Sequence, residues 1–426
     1  MNGAVLKSDP ERYQLSNELH ARPFPRLTAP CRAVFLAIRP DGAAERDHAV
    51  DRDHLIELLD RHGSSHPAQN AQHYAGELGR GSLKWESHTE FVTYTMFVPG
   101  VSEAPFSADS LALFPEDWLA GINGQIVSAA MVRIELAETA EAAEADFVDR
   151  MGEHFAPESL STGFVVDREA LVATDFRIHE DGLARILVYA MKGIGPRRLG
   201  RVVQRLLEIE SYKSFALLSL PVARDIAGKV TELDKKLGEI TDRADDPRVV
   251  LEALTDLAAE VESLSTQSAF RFGAAGAYEA IVHDRINVLR EERLRGRQLY
   301  SEFMTRRFDP AMRTCRSAER RLKELSNRVA RASDMLSTRV NVAVEAQNQA
   351  LLESMDKRAA VQLRLQQTVE GLSVVAISYY AVSLGGYFLA PFAKLADIDK
   401  SWTIAAVTPV VLCLVWMMIR KIRKSE

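Results

Sequence analysis

Hydrophobic and polar positions change their period along this 426-residue chain, and each change predicts a different kind of element. Near the C-terminus the pattern has no polar face. Gly371 to Ala393 and Trp402 to Ile419 are apolar all round, which suits a bilayer better than the one-sided burial of a globular helix. About 20 such residues cross the ~30 Å hydrocarbon layer. Two transmembrane helices, 371–393 and 402–419, are therefore expected, joined by a short external loop, 394–401. Upstream a period of three to four takes over at Leu325, Val329, Ala332, Leu336, Val340, Ala343, Gln347 and Ala350, and resumes at Val361, Leu365, Thr368 and Leu372. No proline lies between Pro310 and Pro391. The spacing predicts one helix from about residue 311 into the first span, and about 75 residues at 1.5 Å each make a rod of ~110 Å. Such a rod is expected to be a stalk packed on neighbouring helices or other subunits. Two further long helices, about 197–241 and 247–307, are marked off by Asp245-Asp246-Pro247 and Asp309-Pro310, where an acidic residue before proline signals a helix start. Long antiparallel helices and stalk together make up 197–370.

Residues 1–196 change character again. Ala33 to Ile38 is a short apolar run between prolines, a buried strand. Asp51 to His62 carries an apolar face of Leu55, Ile56, Leu58 and Leu59 ended by Gly63, a helix. Trp85 to Val98 and Ile126 to Leu136 read as strands by their content of β-branched and aromatic residues. Leu171 to Ala190 alternates on both sides of Asp181-Gly182, a hairpin signal. The expected fold class is an α/β or α+β N-terminal domain, long helices and two C-terminal transmembrane helices.

Charge sets the expected topology. Lys357, Arg358 and Arg364 precede the first span, and the basic tail 420–426 follows the second. The loop between them balances two lysines against two aspartates. The positive-inside bias puts both termini in the cytoplasm, with the bilayer as partner. The opening MNGAVLKSDPERYQL is mostly polar, so export by a cleaved signal is not expected. Net charge −6 argues against nucleic-acid binding. Cys31, Cys315 and Cys413 are far apart and lack CxxC spacing, which implies a reducing compartment without disulfides or a zinc site.

Three phrases carry a resemblance across nearly the whole chain: Asn17-Glu18-Leu19-His20-Ala21-Arg22-Pro23-Phe24, Trp85 to Phe91 (WESHTEF), and Gln362 to Tyr380 (QLRLQQTVEGLSVVAISYY). They resemble a family of bacterial membrane-anchored proteins of unknown function, which implies an inner-membrane protein of Gram-negative bacteria. The order of parts is also similar to that of CorA-type divalent-cation transporters, in which five copies assemble and the first spans line the pore. That similarity implies a homo-oligomer, pentameric by analogy, and a divalent cation as cargo. The Gly-Met-Asn of that family is missing here, and Gly385-Gly386-Tyr387-Phe388 stands in its place.

On this view Glu370, Gly371, Val374, Ser378 and Gly385 are pore-lining candidates: small residues seven apart permit close helix approach, and Glu370 could form a carboxylate ring at the cytoplasmic mouth. The alternative for the same residues is packing between the two spans. Asp397 and Asp399 in the external loop could gather cations or be merely solvated. In the N-terminal domain His54 and Glu57, at i and i+3 within a histidine-rich stretch, could form half a metal site, but convergence of three or four ligands is not read from spacing, and solvated surface is the expected reading. His88 and Glu90 are expected on one face of a strand, as acid and base or as a structural pair. No GxSxG, HExxH, Walker or zinc-knuckle motif is present, so catalysis and a bound cofactor are not expected. Two functional classes remain: an oligomeric cation channel, and a non-transporting scaffold or ligand-sensing protein.

Overall fold

The computed structural model describes residues 9, 11–12, 24–41, 47–107, 112–242, 247–395 and 399–423. Asn17 to Pro23 and Asp397 therefore lie outside the described residues, as do Asp245 and Asp246. Among the described residues the chain divides into two compact units, Met1–Ala244 with Glu252–Ala332, and Asp245–Leu251 with Ser333–Glu426.

In the first unit nine strands form one sheet: β1 (Cys31–Arg39), β2 (His73–Leu78), β3 (Gly81–Ser87), β4 (Val92–Pro99), β5 (Gln125–Ala137), β6 (Ser161–Val165), β7 (Ala170–Ile178), β8 (Ala184–Met191) and β9 (Glu292–Arg293). Their spatial order is β2-β3-β4-β1-β5-β8-β7-β6-β9. β1 pairs antiparallel with both β4 and β5. A central strand covered on both faces is apolar without alternation, which is why CRAVFLAIR is a continuous hydrophobic run. β5 and β8 pair in parallel. The Asp-Gly hairpin joins β7 to β8, with Gly182 at φ +80°. Its alternation breaks at Phe176, a left-handed residue inside a register shift between Thr174 and Ile178. The stretch Trp85 to Val98 is two strands rather than one, because residues 88–91 turn and the His88 N–H donates to the Phe91 carbonyl at 2.8 Å.

Helices cover both faces. On one face α1 (His48–Arg61) and the short α2 (Glu116–Ala120) bury Leu55, Leu58, Leu59 and Trp118 against Val34, Leu36, Trp85 and Tyr94. Further along the same face α3 (Ala140–Asp146) and the turns after it set Phe147, Met151 and Phe155 on Leu171, Leu187 and Tyr189. The opposite face takes α4 (Pro196–Leu217), whose buried side includes Leu199, Val202, Val203 and Leu206.

The expected helix 197–241 is two helices, α4 and α5 (Ser219–Asp242). Pro221 has no N–H to give the Leu217 carbonyl, so the first helix ends there. α6 (Pro247–Leu289) stops well short of residue 307. After Arg290, at φ +51°, the chain makes the edge strand β9 and a turn at Gly296. It re-enters helix at α7 (Tyr300–Phe303), whose first N–H groups, of Tyr300 and Ser301, donate to the Glu291 carboxylate at 2.8 and 3.0 Å. A wider turn, Met304–Phe308, leads into α8 (Asp309–Leu395), 87 residues long. In the first unit α8 buries Met312, Cys315, Ala318, Leu322, Leu325 and Val329; of the stripe expected from Leu325 to Leu372, Leu325 and Val329 are buried, whereas Ala343, Gln347, Ala350, Val361, Leu365, Thr368 and Leu372 are exposed.

In the second unit α8 continues and is followed by α9 (Lys400–Arg423). These two helices are long and apolar enough to cross a membrane.

Candidate functional site

Alternation along β3 and β4 decides what meets α4. Tyr94 and Met96 enter the α1 core, so Thr93 and Thr95 point the other way, toward α4. Lys84 lies on this face, almost fully buried at 6% exposure. Its ammonium donates to Gln204 Oε1 at 2.6 Å and pairs with Glu86 at 2.9 Å. Gln204 donates in turn to Glu208 at 2.9 Å, and Glu208 accepts from Arg285 of α6. A buried ammonium is tolerated only when paired and hydrogen-bonded, and this relay provides that. The cavity beside it holds about 30 Å³, room for a water molecule and far below the ~300 Å³ of a small-molecule pocket.

Next to the relay the turn after β3 sends Glu90 fully inside, where Arg271 of α6 grips both carboxylate oxygens. Burial and the Glu90 carboxylate raise the Tyr278 hydroxyl pKa above its ordinary value. His88 stacks on Phe91 at 4.3 Å between ring centres and meets Tyr212 edge-on. Residues 88–91 form a turn, so His88 and Glu90 do not share the face of a strand.

His54 is half-buried in the fold. Both ring nitrogens are engaged, Nδ1 with the Tyr94 hydroxyl and Nε2 with the Trp118 carbonyl, each at 3.1 Å, and the ring stacks on Trp118 at 4.1 Å. Burial lowers its pKa, outweighing the Trp118 carbonyl and nearby carboxylates. Glu57 turns outward to Arg61 at 2.6 Å. No group of three or more His, Cys, Asp or Glu gathers for a metal among the described residues.

In the second unit the small-residue stripe faces α9. Ser378 is 8% exposed, unusual in an otherwise open helix. A Cβ on Gly385 would stand 3.0 Å from Val407, and one on Gly386 would stand 3.4 Å from Ile404. Val374 is half-buried on the same side. Gly371 has open space around it, and Glu370 is exposed, accepting from Gln366 at 3.2 Å. Asp399 caps α9: its carboxylate accepts from the Ser401 N–H at 2.8 Å, and that bond lowers its pKa. Spacing alone revealed the stripe but not which helix it meets. The Lys84–Gln204 and Glu90–Arg271 pairs had no local signal, since their partners lie 120 and 181 positions apart.

No curated protein and no solved structure matches this chain. The long span of matched phrases has a counterpart in one family profile, which covers residues 7–425, so the chain belongs to the family described as Protein of unknown function (DUF3422).

Proposed function

We propose that the protein is a bacterial inner-membrane scaffold. A two-helix hairpin anchors it, the α/β body and both termini are cytoplasmic, and copies associate through α8. The observation that carries this reading is the apolar surface of the second unit. Leu372, Tyr387, Phe388 and Trp402 are each 73–75% exposed, which water does not tolerate over so long a stretch. The Arg420 guanidinium lies 5.0 Å from the Trp416 ring centre, an interfacial anchor.

Self-association rests on the stretch before the first span. From 341 to 373 every residue of α8 is exposed, and an isolated helix of this kind is marginal in water. Val344, Leu351, Met355, Leu365, Val369 and Leu372 fall on alternating four- and three-residue steps, with Asn348, Arg358 and Gln362 filling the gaps. That heptad period suits a coiled-coil seam, and a second copy anchored by the same hairpin arrives parallel and in register.

The channel alternative draws support from the unbroken run of α8 into the first span. It loses ground because Ser378 and Gly385, its lining candidates, are packed against α9. Extraction of membranes with alkaline carbonate tests the anchor: the full chain is expected in the pellet, and recovery in the supernatant would refute it. Divalent-cation flux into proteoliposomes, abolished by Ser378→Leu with assembly intact, would replace the scaffold reading by the channel.

A further inference from the structure

The β6–β7 turn is built against the normal preferences of its residues. Val166, Asp167 and Arg168 all take left-handed backbone, with φ of +48°, +62° and +65°. Non-glycine residues avoid this region, and a β-branched one does so most strongly. Such strain persists only where surroundings enforce it, and it concentrates at functional sites.

Here the enforcement is electrostatic. Arg198 of α4 donates to the Val166 carbonyl at 3.2 Å and to the Asp167 carboxylate at 3.0 Å. Arg290, just past α6, donates to the same Asp167 oxygen at 2.6 Å. The Val166 N–H bonds the Leu289 carbonyl at 2.8 Å. One carboxylate is thus shared between two guanidiniums.

The next turns of α4 carry Arg201 and Arg205. Both are half-buried, and among the described residues neither makes a hydrogen bond or an ion pair. Burial lowers the Arg205 pKa, and Arg201, Arg285 and Arg290 lower it further, against a smaller opposing effect of Glu208. Glu208 and Asp284 are already paired with Arg285. Two half-buried guanidiniums thus stand among like charges, in a chain of net charge −6.

We propose that Arg201, Arg205 and Arg290 form a binding site for a phosphate group, with Asp167 as its internal competitor. Arg201 and Arg205 lie on α4 between Arg198, tied through Asp167 to Arg290, and Glu208, tied to Arg285, and planar donor forks suit a multiply charged tetrahedral anion better than a carboxylate. Binding moves Arg290 from Asp167 onto the ligand and loosens the clamp on the strained turn. The site lies wholly in the first unit and does not depend on the membrane reading.

The test is thermal unfolding of the full chain in a neutral detergent, titrated with inorganic phosphate or with dihexanoyl-phosphatidylglycerol. Chloride at equal ionic strength is the control. The midpoint should rise saturably with one or both probes. Arg201→Ala/Arg205→Ala should weaken binding about tenfold or more, the loss of charge-assisted hydrogen bonds. Asp167→Asn should tighten it several-fold while remaining folded, since Asn tolerates left-handed backbone. Response to inorganic phosphate identifies a soluble phosphate ligand; response to the lipid alone identifies a headgroup. No rise beyond chloride with either probe, or equal affinity in wild type and the double-arginine variant, would overturn the proposal. So would weaker binding in a folded Asp167→Asn variant.

Discussion

Gly200, on the buried side of α4, offers the sharpest perturbation of the body. Alanine in place of a helical glycine ordinarily stabilises by about 1 kcal/mol. At Gly200 the added methyl would stand 1.7 Å from the Pro25 carbonyl oxygen and 2.8 Å from its carbon. Neither atom is the end of a flexible side chain, so the segment leading into β1 must move. That segment is tied to α4 by the Leu27 N–H on the Pro196 carbonyl at 3.1 Å. Overpacking costs about 1–3 kcal/mol, with a backbone clash at the upper end, and loss of the tie adds about 1 kcal/mol. After the helix-propensity gain, Gly200→Ala should destabilise by about 3 kcal/mol, and at about 1.5 °C per kcal/mol for a unit of this size the midpoint falls by roughly 4–5 °C. Gly273 and Gly276 of α6 meet nothing within 4 Å, so their alanine variants should instead gain about 1 kcal/mol each. Differential scanning fluorimetry of the full chain in detergent reads all three. A Gly200→Ala protein as stable as wild type would refute the packing of α4 on the Pro25 segment.

Other consequences concern charge and the hairpin. Arg271→Met leaves Glu90 buried and unpaired, at a cost of about 3–5 kcal/mol, and adding Glu90→Gln should recover much of it; chemical denaturation that finds the single variant unperturbed would contradict the buried pair. His54 has its pKa lowered in the folded state, so unfolded chains bind more protons as pH falls through the range below ~6.5. Stability from this group is complete above that range and lost below it. The drop in midpoint between pH 7.5 and 5 should be smaller for His54→Gln than for wild type, and an identical slope would refute the burial. In the second unit Gly385→Leu should disrupt span packing, while Gly371→Leu, facing open space, should not. Limited proteolysis in detergent should cleave the first variant faster than the second.

How far such features can be read from a linear chain depends on the range of the forces behind them. The apolar C-terminal helices, the run of β1 and the Asp181-Gly182 turn are local, and each is legible, whereas Asp309-Pro310, expected to separate two helices, lies inside a helical run that begins at Tyr300. Pro221 was a local signal too: its missing N–H ends α4, although the surrounding helical composition obscured it. The departure from helix after Leu289 depends on β9 joining the sheet edge at β6, a pairing no local period records. The same holds for the Lys84 relay and the Glu90–Arg271 pair, where distant segments supply opposite charges. His54 shows the same limit: its spacing to Glu57 left a metal open beside a solvated surface, and the aromatic and carbonyl neighbours that engage both nitrogens come from β4 and α2.

The most direct measurement of the central claim is the mass of the full chain in lipid nanodiscs by native mass spectrometry. A membrane-anchored scaffold joined through the α8 heptads predicts more than one copy per disc. Replacing Leu351 and Leu365 with lysine should reduce that number while leaving the chain in the lipid. One copy per disc at every protein concentration would contradict the account.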